Sequence, residues 1–306
     1  MHVMLAGLRT VCATSAVALV AAVAPMGTAT AVESAPAAAT KAVDKKSSPP
    51  MVTFTISEDR TVIEGALTQP AGPLRLRVLA EDEDHLLSLF QFKPGYTVKQ
   101  MRADTRALGR MYREGGEDNA KAVKRMQRNT ITYGGANASM GSMATAIVNL
   151  KPGNYYISDN VGPPGGHLYK LKIVPGNNPA PLPKGVPVIK MTGDNEYKGA
   201  SRLPATGTVE IVNAMRKGHE WLQAAFLEVQ PGTTEEQVAN LFRGTGDGGF
   251  VLSGYAGGDT LSPGNRQFLK YSVEPGTYAL ICFFPDPNNP GSTYVADGMV
   301  RIITMD

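Results

Sequence analysis

Apolar and polar residues alternate with a period of two over most of this chain, as in strands with one buried face. Leu74, Leu76 and Val78 alternate with Arg75 and Arg77, and Tyr169, Leu171 and Ile173 with Lys170 and Lys172. Val209 and Ile211 repeat the pattern less cleanly among Thr208, Glu210 and Val212. Thr277 to Phe284 is apolar on both faces, which predicts a central strand covered on both sides. Gly- and Pro-rich turns separate these runs at short intervals, so the pattern predicts a mainly β protein of the sandwich kind. The spacing turns helical in two places. Thr97 and Gln100 have the spacing of a capping box, followed by an apolar stripe of Val98, Met101, Leu108 and Met111, and a second helix is expected over Glu117 to Asn129. Further on, Thr233 and Glu236 are expected to cap a shorter helix carrying Val238, Leu241 and Phe242.

These elements recur. Lys151-Pro152-Gly153-Asn154-Tyr155 is matched 123 positions later by Glu274-Pro275-Gly276-Thr277-Tyr278, and the same offset carries Gly134-Gly135 onto Gly257-Gly258. Lys93-Pro94-Gly95-Tyr96-Thr97 is matched by Gln230-Pro231-Gly232-Thr233-Thr234 at an offset of 137. The 14-residue difference is a longer helical stretch, about 97–129, in the first copy. The expectation is two tandem domains, 51–174 and 188–306, each with its own core. Residues 175–187, with five prolines in thirteen positions, are expected to form an extended spacer.

The N-terminus adds an address. Arg9 is the only charge before Glu33, Val11 to Val23 is apolar or small, and Ala29-Thr30-Ala31 fits a cleavage site. Residues 1–31 are therefore expected to be a cleaved signal peptide of bacterial type, ending near Ala31, and 32–50 a disordered tether, making the protein secreted. Cleavage would remove Cys12 and leave Cys282 as the one cysteine, without an internal disulfide. No other run of apolar residues is long enough for a transmembrane segment. A net charge of +3 gives no reason to expect nucleic acid as a partner.

Hydrolytic and phosphate-binding motifs are absent, and His85, His167 and His219 sit in no triad-like pattern, so an enzyme is not expected. The C-terminal segment carries more. Pro275-Gly276-Thr277-Tyr278 opens a strand ending in Cys282, a loop from Phe283 to Gly298 follows, and Met299 opens the last strand. This resembles the cupredoxin family, the plastocyanin and azurin type of β-sandwich. The resemblance implies two tandem antiparallel Greek-key domains and, in the second, a copper site using His219, Cys282 and Met299. A type 1 copper centre takes two imidazoles, a thiolate and a weak axial thioether. The family's second histidine lies five residues before the methionine, and here that residue is Tyr294. The implied ligand set is thus incomplete. In the first copy, Asp159 and Lys170 are expected at the positions of Cys282 and Met299. Alignment on the Pro-Gly turn puts Leu222, not His219, opposite His85.

Charge completes the picture. Lys99, Arg102, Arg106, Arg110 and Arg113 recur every three or four residues on one helix face, and residues 97–129 hold nine basic and four acidic side chains. Arg102, Arg106 and Arg110 are the candidate face for an anionic partner, a cell-surface polymer or another exported protein; the plainer reading is a solvated face balancing Glu81, Asp82, Glu83 and Asp84. The expected function is that of a secreted, non-catalytic binding or scaffolding protein with no resident cofactor. The alternative is copper binding or electron transfer through His219, Cys282 and Met299.

Overall fold

The computed structural model describes residues 48–159, 164–216 and 218–306. The expected signal peptide, and all but the last three residues of the expected tether, lie outside the described residues. The N-terminal half runs β1 (Met51–Ile56), β2 (Thr61–Glu64), β3 (Thr68–Pro70), β4 (Gly72–Ala80), β5 (His85–Phe92), α1 (Val98–Glu114), α2 (Glu117–Asn129), β6 (Thr130–Ala138), β7 (Met143–Leu150), β8 (Gly153–Ser158) and β9 (Leu168–Val174). The C-terminal half runs β10 (Val188–Thr192), β11 (Glu196–Gly199), β12 (Arg202–Leu203), β13 (Thr206–Asn213), β14 (Ala225–Val229), α3 (Glu235–Phe242), β15 (Val251–Gly258), β16 (Arg266–Ser272), β17 (Gly276–Ile281) and β18 (Val300–Met305).

The strands form two mixed sheets. One has the order β11-β10-β13-β16-β7-β4-β1-β2, the other β12-β18-β17-β14-β15-β6-β5-β8-β9-β3. Each order reads the same from either end once the halves are matched strand for strand. The halves meet edge to edge, through β7 against β16 and β6 against β15. In the first joint Ala146 lies opposite Leu269, its own repeat equivalent 123 positions on, so the two halves are related by a local two-fold through that pair. Neither sheet is purely antiparallel: β1 pairs parallel with β4, β10 with β13, β3 with β9 and β12 with β18. The chain leaves the first sheet after β2, adds β3 to the second and returns as β4 on the other side of β1, opposite in direction to β2 and so parallel to β1.

The alternation behaves as the period of two requires. Leu74, Leu76 and Val78 are buried in β4, Leu171 and Ile173 in β9, Val209 and Ile211 in β13. One contiguous core cluster includes Phe54, Leu76 and Leu89 together with Ile189, Ile211, Phe226 and Leu269, side chains of both halves. The 175–187 segment is packed on the N-terminal half at Asn178, whose amide donates to the Pro73 carbonyl (2.7 Å) and whose backbone N–H donates to that of Ala71 (2.9 Å).

The repeated motifs have local reasons. In both Pro-Gly-x-Tyr turns the tyrosine hydroxyl donates to the carbonyl four residues back, Tyr155 to Lys151 and Tyr278 to Glu274, each at 2.9 Å. The paired glycines line the seam. A Cβ on Gly134 would sit 2.1 Å from Gln267 Oε1, and one on Gly258 2.1 Å from its Nε2. Gln267, fully buried, donates to the Asp259 carbonyl and accepts from the Gly135 N–H (2.8 Å), so its amide fills the space that side chains would take. Thr97 caps α1 with the expected box to Gln100, and α2 spans the expected residues. The box on α3 is one residue later than the spacing predicted: Thr234 and Gln237 form it. Thr233 is occupied in the preceding turn, its hydroxyl donating to the Gln230 carbonyl at 2.7 Å.

Candidate metal centre

β17 ends against β14 and β18, and the first residue beyond it is Cys282. It is fully buried, and Sγ accepts a hydrogen bond from the Gln223 N–H at 3.3 Å. Burial pushes the thiol up to about 12, only partly offset by the N–H bonds of Gln223 and Phe284. A thiol so placed keeps its proton, the opposite of the depressed value of a reactive or metal-ligating cysteine. Met299 lies one step beyond the Ile281–Val300 pair, on the strand beside it, and is also fully buried. Tyr294 folds back over this end: its N–H donates to the Phe284 carbonyl (3.0 Å) and its own carbonyl accepts from the Met299 N–H (2.8 Å). The ring is buried and the hydroxyl has no hydrogen-bond partner. Burial, followed by the negative charge of Asp286, raises that phenol and keeps it neutral.

The structure therefore brings Cys282, Tyr294 and Met299 together. His219 stands apart from them. It is exposed, and its backbone N–H donates to Glu220 Oε2 at 2.8 Å. The residue leading into the Cys282 hydrogen bond is Leu222, 1% exposed, beside Trp221, whose ring lies 5.5 Å from that of Phe284. The cysteine is thus approached by the backbone after Leu222 and by Tyr294, and not by the His219 imidazole that the resemblance implied. Among the described residues no three His, Cys, Asp or Glu side chains come together in a metal-binding group. A thiol, a thioether and a neutral phenol do not fit a type 1 copper ion, which needs two imidazoles and a thiolate. The sequence carried the signal for Leu222 in the Pro-Gly alignment with His85; nothing in it marked Gln223.

The matching end of the N-terminal half is polar. Ser158 pairs with Leu168 as Ile281 pairs with Val300, so the counterpart of Met299 is His167, not Lys170; the shorter loop after β8 shifts the offset. His85, Asp159 and His167 thus occupy the places of Leu222, Cys282 and Met299. Asp159, 1% exposed, accepts from Thr61 Oγ1 (2.7 Å), the Tyr169 hydroxyl (3.0 Å) and the His167 N–H (2.9 Å), with His167 Nδ1 at 3.2 Å. His85 turns to Asp82, Nε2 to Oδ1 at 3.2 Å. These contacts give Asp159 and His85 partners inside the protein.

On α1, Arg106 and Arg110 are exposed and Arg102 half-buried with its Nε–H unpaired. Arg110 donates to Asn119 Oδ1 (3.1 Å). Of the acidic residues expected to balance this face, Glu81 meets Arg60 (3.6 Å), Asp82 meets His85, and Asp84 accepts from the Met140 N–H (3.0 Å). Arg125 on α2 pairs instead with the buried Asp104, which also accepts from the Tyr96 hydroxyl at 2.7 Å.

No family model and no curated protein matches the chain. Solved structures similar to it include auracyanin from Roseiflexus castenholzii, 19% identical over 39% of this chain and 94% of that one, with a TM-score of 0.24. A multicopper oxidase is 12% identical over 84% and 88% of the two chains, with a TM-score of 0.22. A Cu-containing nitrite reductase from Thermus scotoductus is 14% identical over 85% and 68%, with a TM-score of 0.21. At such scores the likenesses carry no argument of their own. What the strands themselves show is a mainly β fold of two mixed sheets, with Cys282 just after β17 and Met299 just before β18.

Proposed function

We propose that this is a secreted, non-catalytic binding or scaffolding protein, built by duplication of a cupredoxin-like domain, that presents the basic face of α1 to an anionic partner. The observation that supports it is the filling of the cysteine end by Leu222 and Tyr294, which leaves Cys282 as a protonated core thiol. Glu81, Asp82 and Asp84 are engaged with Arg60, His85 and the Met140 N–H rather than with Arg102, Arg106 or Arg110, which supports reading this face as one held for an anionic partner.

Two measurements test this. Protein incubated with copper(II) and then dialysed should retain less than one tenth of an equivalent and show no intense blue thiolate band. Stoichiometric retention with that band would establish the copper reading through His219, Cys282 and Met299 instead. Separately, Arg102, Arg106 and Arg110 changed together to Glu should reduce sedimentation with isolated cell walls by tenfold or more, an order expected when several phosphate-like contacts are lost. Unchanged sedimentation would return this face to the role of solvated surface.

A further inference from the structure

At the same end of the C-terminal half, the β10–β11 turn, the β13–β14 loop and the β17–β18 loop enclose an open cleft of about 180 Å³. Two carboxylates, Glu220 and Asp286, line it. Among the described residues neither lies within ion-pair distance of a lysine, arginine or histidine side chain. Glu220 accepts the His219 N–H (2.8 Å), and Asp286 accepts from the Asn288 N–H (2.7 Å) and the Asn288 side chain; a carboxylate has about four lone-pair sites, so each keeps free acceptor positions. Burial raises the Asp286 carboxyl, and the nearby charges of Asp297 and Glu220 raise it further, as expected of acids that lack a counter-ion.

A second feature is independent of these charges. Tyr294 lines the same cleft, is 3% exposed, and its hydroxyl has no partner in the protein. A buried hydroxyl left unbonded has lost its water without replacement, a cost that a ligand reaching it would offset. Leu222 and Met215 complete the wall with apolar surface.

We infer that this cleft receives a primary alkylammonium group of the kind a lysine side chain carries. An ammonium has three N–H donors; the cleft offers it the carboxylates of Glu220 and Asp286, and the unbonded Tyr294 hydroxyl, itself buried, lies within electrostatic range of both. The apolar stem of such a group matches Leu222 and Met215. Two carboxylates facing a groove larger than a single ion, with no imidazole or thiolate, favour an organic cation over a transition metal. The inference uses nothing from the α1 face and stands or falls without it.

Calorimetric titration of the full chain at low ionic strength, with n-butylammonium, Nα-acetyl-lysinamide, n-butanol and calcium chloride as separate probes, tests it. Both amines should bind at least tenfold more tightly than butanol, since charge-assisted bonds carry the affinity. Acetyl-lysinamide binding as well as or better than butylammonium points to a protein side chain as the natural occupant, and butylammonium alone to a free amine. Asp286→Asn and Glu220→Gln should each weaken binding by roughly tenfold. Tyr294→Phe should weaken it several-fold while leaving the thermal midpoint unchanged or raised, because no internal bond is lost. Butanol binding equally well, calcium binding in place of the amines, no amine binding, or affinities unmoved in all three variants would each overturn the assignment.

Discussion

Asp259→Asn should make the protein more stable above neutral pH and remove a fall in stability that the wild type shows between about pH 4 and pH 7. Asp259 follows β15 at the seam, 4% exposed, with its backbone N–H on the Gly135 carbonyl (3.3 Å). Burial raises its carboxyl to about 7, against bonds from Ser88 and the Thr260 backbone that pull it down. The groups packed around it are Ser88, Gly135, the Gln267 amide and, within electrostatic range, the neutral Cys282 thiol; no cation is among them. Because the folded-state value is raised above the unfolded one of 3.8, the native state holds the proton longer. Stability is then full below about pH 4, declines as pH rises, and is lost in full above about 7. Three units correspond to about 4 kcal/mol, an upper figure that any water reaching the site would reduce. Asparagine resembles the protonated form at every pH. The check is urea unfolding of both proteins at pH 4.5 and 8: the difference in free energy should grow by several kcal/mol toward pH 8. Parallel curves would show that Asp259 ionises without penalty.

Gly135→Ala should cost more than about 4 kcal/mol, placing it in the rare severe class. Its φ of 159° is close to extended, so backbone strain is not the issue. The Cβ would stand 1.7 Å from the Leu87 carbonyl oxygen, a backbone atom of β5 held in the sheet, and 3.3 Å from Asp259 Cβ. Relief requires β5 and β6 to part at the point where β6 also meets β15, so both the N-terminal half and the seam are disturbed. Gly264→Ala is the control. Its φ of 79° is left-handed and nothing lies within 4 Å of the added carbon, so it should lose only about 1 kcal/mol. Urea midpoints separate the two, and equal losses would refute the steric account of the paired glycines.

The sequence by itself determined what local chemistry determines. Period-two runs placed β4, β9 and β13 and chose their buried faces, because a strand's alternate residues face opposite sides. Helix α1 was legible from its cap and stripe, and α2 to the residue. The repeat offsets marked the Pro-Gly-Tyr turns and the seam glycines before any reason for them was visible. The misplaced α3 cap has a local cause: Thr233 and Thr234 are chemically alike, and only the finished turn assigns one hydroxyl to Gln230 and leaves the other for the helix.

The tertiary structure decided the rest. Edge pairing between halves is made by backbone N–H and C=O groups that every residue carries, so no side-chain pattern announced that β7 meets β16 or β6 meets β15. Parallel pairing of β1 with β4 likewise depends on the chain crossing to the other sheet at β3 and returning beside β1. At the cysteine end, the family resemblance pointed to His219, but what approaches Cys282 depends on how the loop before β14 closes over the sandwich, and it presents Leu222 and the Gln223 N–H. The cleft draws Glu220 from the β13–β14 loop and Asp286 and Tyr294 from the β17–β18 loop, far apart in sequence. Each loop alone reads as solvated surface, and the buried phenol and its acidic neighbours become a site only when the sandwich brings the loops to one end.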